Sequence, residues 1–342
     1  MIHNTLQSEK NSLTVAFLCE CAGVSRSGYY SWLTAKKNPK SYQNKREEQD
    51  RKDFELILEA YKYRGINKGR RGIHMRLLQN GILMNEKKIS RLMKKYNLVC
   101  PIRKANPYRR MMKALKSSNY ANNLLERRFE EYGPGYVLLT DITYFYFSPK
   151  RTKAYLSVIK DAFTKQILAS VLSLSMEEEF VLQTVHQLFE NHKDKIHADA
   201  LIHSDQGAHY TSIQFISLLK DKEIRQSMSR RGNCWDNAPQ ESFFGHMKDE
   251  IGEYFKEIEN FEKLEEIIYG YIDYYNNERY QYNLAKLSPN QFYEYYQTGE
   301  YPLKEYVKEP SYIKEKIRKV KDSIHKESIT EDILSSNNSS SI

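Results

Sequence analysis

Eleven consecutive residues, VLLTDITYFYF from Val137 to Phe147, constrain this chain more than any other stretch. Aromatic and β-branched residues dominate it, so it reads as a strand. The two-residue period of a strand then places Val137, Leu139, Asp141, Thr143, Phe145 and Phe147 on one face. A carboxylate in so apolar a row is costly unless a cation or hydrogen-bond donors face it. Whatever the fold, it has to bring Asp141 a partner.

Two further acids occupy comparable places. Asp205 closes the apolar run Ala200, Leu201, Ile202, which looks like a buried strand, and Glu241, with thirty-five residues between them, lies in the first turns of a predicted helix. Lys248 follows Glu241 by seven positions, about two helical turns, and so shares its face. Taken singly, each acid is read most economically as a turn or capping residue. Taken together they offer what a hard divalent cation requires, oxygen donors from separate elements. Two such ions about 3.5–4 Å apart can clamp the attacking and leaving oxygens of a phosphodiester displacement. Asp161, between two predicted strands, reads as a turn acid rather than a fourth donor. His203 and His209 read as structural groups, Tyr210 and Trp235 as packing aromatics, and Gly207 as a residue that lets the backbone turn close to the site.

The net charge is +9, but its distribution says more than its total. Between Lys62 and Lys116 seventeen Lys and Arg face one acid, Glu86, so this block carries +16 and the rest of the chain −7. A run so one-sided suits a phosphate backbone. Four cysteines (Cys19, Cys21, Cys100 and Cys234) lack the spacing of a zinc site or a disulfide framework. No run of eighteen apolar residues and no signal-peptide pattern is present, so a soluble, cytoplasmic protein is expected, with no membrane partner.

Along the chain, Leu13 to Leu33 has the pattern of a helix-turn-helix, with a turn at Gly23 and a cap at Ser25. Residues 36–50 are polar and read as a linker. A second helical pair follows, Arg71 to Gln79 and a helix capped by Asn85, the latter carrying Lys87, Lys88, Arg91, Lys94 and Lys95 opposite the apolar Ile89, Leu92 and Met93. Those cations are expected to be free to meet DNA, in the major groove or along phosphates. Arg230 and Arg231, just before the Glu241 helix, are further phosphate-contact candidates. From Tyr132 three strands form an antiparallel meander, and helices then alternate with the Asp205 strand and a short strand at Ile224 to Met228. The expected class is a mixed α/β sheet flanked by helices and preceded by all-α domains. The expected divisions are 1–50 and 51–100 for two helix-turn-helix units, 101–130 for a basic linker, 131–300 for the core and 301–342 for a charged flexible tail.

TDITYF around Asp141, HSDQGAHY around Asp205 and RRGNCWDNAPQESFFGHMKDE around Glu241 resemble the signatures of DDE transposases. More narrowly they resemble the catalytic OrfB subunit of the IS-three family of insertion sequences, whose core is similar to retroviral integrase. The resemblance runs from the N-terminal helices to about Pro289 and includes a YN-x-x-R element at Tyr275 to Arg279. It departs at Leu138 and Leu139, where such proteins often carry a tryptophan. It implies a ribonuclease-H-like core and a DNA transposase that cuts element ends and joins the freed 3′-hydroxyl to another phosphodiester. Asp141, Asp205 and Glu241 would hold two magnesium or manganese ions, and Lys248 would touch DNA beside them. Its implied partners are terminal inverted repeats and target DNA, further copies of the chain on DNA, and an upstream helix-turn-helix subunit; its implied place is the bacterial nucleoid. The initial methionine and the lack of leucine-zipper heptads suit a separate downstream product. The rival readings are a metal-dependent nuclease of the same fold and a non-enzymatic DNA-binding regulator, the second of which leaves the three acids unexplained.

Overall fold

The computed structural model describes residues 1–8, 11–37, 39–66, 68–100, 132–148, 150–228, 238–252, 255 and 258–323. The chain forms two compact units, one of Met1–Ala60 with Asn85–Val99 and one of Tyr61–Met84 with Cys100–Ile342. The expected linker at 101–130 lies outside the described residues, as do Arg230, Arg231, Trp235 and Cys234.

Among the described residues six helices precede the sheet: α1 (Ile2–Leu6), α2 (Val15–Cys21), α3 (Arg26–Lys37), α4 (Pro39–Lys62), α5 (Arg70–Gln79) and α6 (Glu86–Lys95). In the first unit, α2 and α3 form the expected pair. Thr14 Oγ1 accepts from Phe17 N at 3.3 Å, Gly23 turns the chain at φ 63°, and Ser25 Oγ accepts from Gly28 N at 3.1 Å. The polar linker expected over 36–50 is absent. Instead α3 runs through Lys37, and α4 opens at Pro39 and continues unbroken to Lys62. Polarity alone does not break a helix. Proline is tolerated at the first helical position, and no proline or glycine follows until Gly65. The polar face is further supported by the Glu48–Lys52 pair at 2.9 Å, one turn apart.

The second unit is built on five strands, β1 (Val137–Phe147), β2 (Thr152–Asp161), β3 (Ile167–Ser173), β4 (Leu201–Ser204) and β5 (Arg225–Met228), in the order β3-β2-β1-β4-β5. The first three form an antiparallel meander, while β4 pairs parallel with β1 and β5 parallel with β4. Parallel neighbours need crossovers, and α7 (Glu178–His192) and α8 (Ile213–Asp221) supply them. These two helices bury Val181, Val185, Leu188, Phe215 and Leu219 against Leu138, Ile159 and Ile202 on one sheet face. On the opposite face, Phe145, Phe147, Ala154, Leu156 and Val158 pack with Phe243, Phe244 and Met247 of α9 (Ala238–Ile251) and Leu264, Ile268 and Tyr275 of α10 (Phe261–Asn277). This is the mixed α/β, ribonuclease-H-like arrangement expected.

α11 (Pro289–Thr298) starts at a complete capping box between Ser288 and Gln291 and ends at Gly299 in the left-handed region. Beyond it the expectation of a flexible tail fails for residues 301–323. Tyr301 and Leu303, then Ile313, Ile317 and Val320 on a helix over 311–323, are buried with Phe163, Leu287, Phe292 and Leu78. The spacing of Ile313, Ile317 and Val320 is that of one helical stripe, masked in composition by the Lys and Glu between them. Among the described residues no helix is long and apolar enough to cross a membrane.

Candidate active site

Strand register places the first two acids. β1 and β4 pair in parallel with a constant offset, Val137 with Leu201, Leu138 with Ile202 and Leu139 with His203. Carrying that offset two residues further sets Asp141 beside Asp205, the residue directly after β4. Neighbouring strands lie about 4.8 Å apart, and residues in matching register point to the same face. That face is the one covered by α9, whose buried Phe243, Phe244, Met247 and Ile251 leave Glu241 exposed in the first turn.

The local contacts hold each acid differently. Asp141 is partly buried, and its Oδ1 accepts from the Ile142 N–H at 2.8 Å. Asp205 Oδ1 accepts from Gly207 N at 2.9 Å, and a Cβ on residue 207 would stand 2.9 Å from that same oxygen. Glycine is thus needed there for close approach rather than for an unusual φ. The Asp141 carboxyl is raised to about 7, first by burial and further by the charges of Asp205 and Glu241, against the Ile142 N–H and the Lys248 ammonium. The other two acids and Lys248 therefore all act on the Asp141 carboxyl. Their convergence stops at electrostatic reach: among the described residues no three His, Cys, Asp or Glu side chains are grouped closely enough to hold one ion.

Lys248 sits half-buried on α9, its Nζ 5.0 Å from the Tyr144 ring centre and 5.4 Å from that of Phe145. Burial lowers its pKa, and the Asp141 charge works against that. The face that Lys248 shares with Glu241 thus leads back to β1. Beneath the site, Tyr210 is buried, its hydroxyl 3.3 Å from Thr140 Oγ1, which makes it a packing residue as expected. His203 lies buried with Nδ1 3.0 Å from Ser227 Oγ, and His209 Nε2 is 2.9 Å from the Met176 carbonyl oxygen. Asp161 is a turn acid: its carboxylate accepts from the N–H groups of Gly135, Phe163 and Thr164 and from Thr164 Oγ1 at 2.6–3.0 Å.

The YN-x-x-R element anchors α9 and α10 to the sheet. Asn276 pairs with the main chain of Ile167 in both directions, Nδ2 donating at 2.8 Å and Oδ1 accepting at 2.9 Å, and so extends the start of β3. Tyr275 packs edge-on against Phe243 at 4.8 Å. Arg279 donates through Nη2 and Nε to Glu250 of α9 at 2.8–3.2 Å, and the Tyr271 hydroxyl donates to the same carboxylate at 2.9 Å. Burial alone would raise the Glu250 carboxyl, yet Arg279 and the Tyr271 hydroxyl bring it below its ordinary value. Both side chains are largely buried, so the pair is not a surface ion pair. Sequence reasoning missed Glu250, whose place in a run of charged residues resembles any solvated helix end. It also missed Gln240, fully buried beside Glu241 with no hydrogen-bond partner for its amide among the described residues.

In the first unit the basic helix is less free than expected. Arg91 donates to both Asp50 oxygens at 2.6 and 2.8 Å, Lys95 to Asp50 at 2.9 Å, and Lys88 pairs with Asp53 at 2.5 Å. The two aspartates lie buried on α4, so each needs a cation. Lys87 and Lys94 are exposed and make no ion pair among the described residues.

The integrase core domain family matches residues 131–234 and, through a second such domain, residues 241–295, and an HTH-like domain matches residues 48–106. The putative transposase InsK of insertion sequence element IS150 from Escherichia coli K12 is 32% identical over 80% of this chain and 92% of its own length. The transposase InsF of insertion sequence IS3A from the same organism is 27% identical over 84% of this chain and 96% of its own. An HTLV-2 integrase catalytic core domain, solved in complex with magnesium, superimposes with TM-score 0.37 and 17% identity over 46% of this chain and 96% of that one. The matched domains and the helices before them define a DNA transposase, a polynucleotidyl transferase with an integrase core. The chain belongs to the IS-three family of insertion-sequence transposases.

Proposed function

We propose that Asp141, Asp205 and Glu241 are the DDE centre at which this transposase cuts element ends and joins the freed 3′-hydroxyl to a second phosphodiester. The donor set fits a hard divalent cation. Three carboxylates come from separate elements, and the Asp141 carboxyl, disfavoured as an anion by burial and by two like charges, would ionise readily once a cation stood beside it. Two magnesium or manganese ions, when bound, would stabilise the charge developing on the attacking and leaving oxygens.

The chain's own residues do the positioning. Asp141, from within β1, and Asp205, directly after β4, present oxygens side by side, Gly207 orients Asp205 through its N–H, and Glu241 closes the set from α9. Lys248 holds the scissile strand through a phosphate next to the acids. Lys87 and Lys94, with Lys88, Arg91 and Lys95 where they exchange acids for phosphates, grip terminal inverted repeats through the helical region of residues 51–100, and Arg230 and Arg231 add phosphate contacts. Assembly with further copies of the chain on DNA, with an upstream helix-turn-helix subunit and within the nucleoid completes the proposal. The observation that carries it is the parallel register of β1 and β4, which sets Asp141 beside Asp205 on the face covered by the helix of Glu241.

The test uses labelled element ends, target DNA and magnesium. Asp141→Asn, Asp205→Asn and Glu241→Gln should each abolish cleavage and joining while DNA binding persists. Lys248→Ala should reduce joining by about tenfold or more, with Lys248→Arg retaining part of it. Strand transfer at the parental rate by any acid variant removes that residue from the centre, and cleavage without joined products by the parent favours a nuclease.

A further inference from the structure

Beyond Leu139, β1 extends past its pairing with β4, and its outer part forms a two-stranded ribbon with β2. On the sheet face away from α9, Tyr144 stands opposite Tyr155, and Tyr146 opposite Lys153. Whereas Phe145 and Phe147 on the other face of β1 are buried and Tyr155 is partly buried, Tyr144 and Tyr146 are 50% and 40% exposed. The two rings meet edge to face at 5.6 Å. Three cations stand against them: Lys153 Nζ is 5.5 and 5.6 Å from the two ring centres, Arg151 is 5.0 Å from Tyr146, and Lys248 is 5.0 Å from Tyr144. Among the described residues, neither Arg151 nor Lys153 pairs with an acid, and both are exposed. Lys248 contacts both Tyr144 and Phe145, side chains on opposite faces, so it lies across the edge of β1 just beyond Asp141.

We infer that this aromatic and basic ribbon is a binding site for unpaired nucleotides of the DNA strand that leaves the reaction centre. Exposed rings interleaved with unpaired cations are the chemistry of single-stranded nucleic acid, because every base offers a π-face and every nucleotide a phosphate. An intact duplex offers the phosphates but hides the base faces. Placement agrees with this. Tyr144 and Tyr146 lie three and five residues along β1 from Asp141, about 10 and 17 Å at strand rise, or roughly three and five stacked nucleotides. Lys248 marks where the strand would cross the edge between them. The site would hold the frayed or displaced strand near the cut, and so favour ends that open over end duplexes that stay closed. This inference rests on the reading of Asp141 as part of the catalytic centre, and it assigns the neighbouring surface a separate partner.

The test measures binding of the full chain to two labelled probes, a blunt element-end duplex and the same duplex with a single-stranded overhang of about five nucleotides. The parent should prefer the overhang probe. Tyr146→Ala combined with Lys153→Ala should weaken overhang binding by about tenfold, with blunt binding changed by less than about twofold, and Tyr146→Phe should retain the preference because it keeps the ring. Unchanged overhang binding by the double variant overturns the inference. So does an equal loss on both probes, which would mark the ribbon as a plain charge contact. Circular dichroism of each variant separates loss of binding from loss of fold, and Tyr146→Phe with Lys153→Gln provides a milder pair if the double variant does not fold. Asp141→Asn protein should keep the overhang preference. If the parent shows that preference yet neither cuts nor joins, the catalytic reading fails and the ribbon stands.

Discussion

Asp141→Asn should make the metal-free protein more stable, and the gain should depend on pH in a particular way. The carboxyl's ordinary value of 3.8 is raised to about 7 by burial and then by Asp205 and Glu241. A pKa higher in the folded than in the unfolded chain means that the folded state binds the proton more tightly, so this group costs stability as pH rises from about 4 to about 7. At roughly 1.4 kcal/mol per tenfold the ceiling is about 4 kcal/mol, and the partial exposure of the side chain brings it to roughly 2 kcal/mol. Asparagine keeps the acceptor for the Ile142 N–H and removes the charge. In chelator at pH 8 the variant should therefore melt roughly 4 °C above the parent, a gain that should shrink to nothing near pH 4. Thermal melts across this pH series, repeated in excess magnesium, give the assay. Magnesium should stabilise the parent and not the variant, closing the gap. Equal melting temperatures at pH 8 in chelator, or a gap of the same size at pH 4 and pH 8, would refute the reasoning.

Arg279→Ala strips the counter-charge from a largely buried Glu250 and should cost about 3–5 kcal/mol in urea denaturation; a loss below about 1 kcal/mol would show that the pair is solvated. Ile313→Ala should cost about 2–4 kcal/mol because Ile313 is only 1% exposed, whereas a loose tail would register no change. Lys87→Ala with Lys94→Ala should lower the slope of log affinity against log salt by about 2 on element-end DNA, and an unaltered slope would take these two lysines off the phosphates.

Much of the site could be read from local pattern. The two-residue period at Asp141, the apolar run before Asp205 and the seven-residue step from Glu241 to Lys248 are properties of single elements, and each element forms where its own periodicity places it. The caps at Ser25 and Asn85 were legible for the same reason, since a capping side chain bonds to a backbone N–H two or three residues away. Three expectations failed where the deciding partner was distant. The 36–50 segment looked like a linker because its helix is stabilised from outside, with buried Asp50 and Asp53 neutralised by cations forty residues away. Those same pairs occupy three of the five cations on α6. The 301–323 segment looked loose because its apolar stripe is thin, and only Phe163, Phe292 and their neighbours make it core.

The sequence by itself therefore named the three candidate acids, the candidate lysine and the class of chemistry they would support, because residue types and their spacing state which donors are present. Only the tertiary structure decided what those donors experience. The parallel offset between β1 and β4 aligns Asp141 with Asp205, the Arg279–Glu250 pair ties down the helix that carries Glu241, and burial together with neighbouring charge moves the Asp141 carboxyl to about 7. A pKa is set by every charge and dielectric boundary within several ångströms, and residues sixty to a hundred positions apart come within that distance only after the sheet has formed.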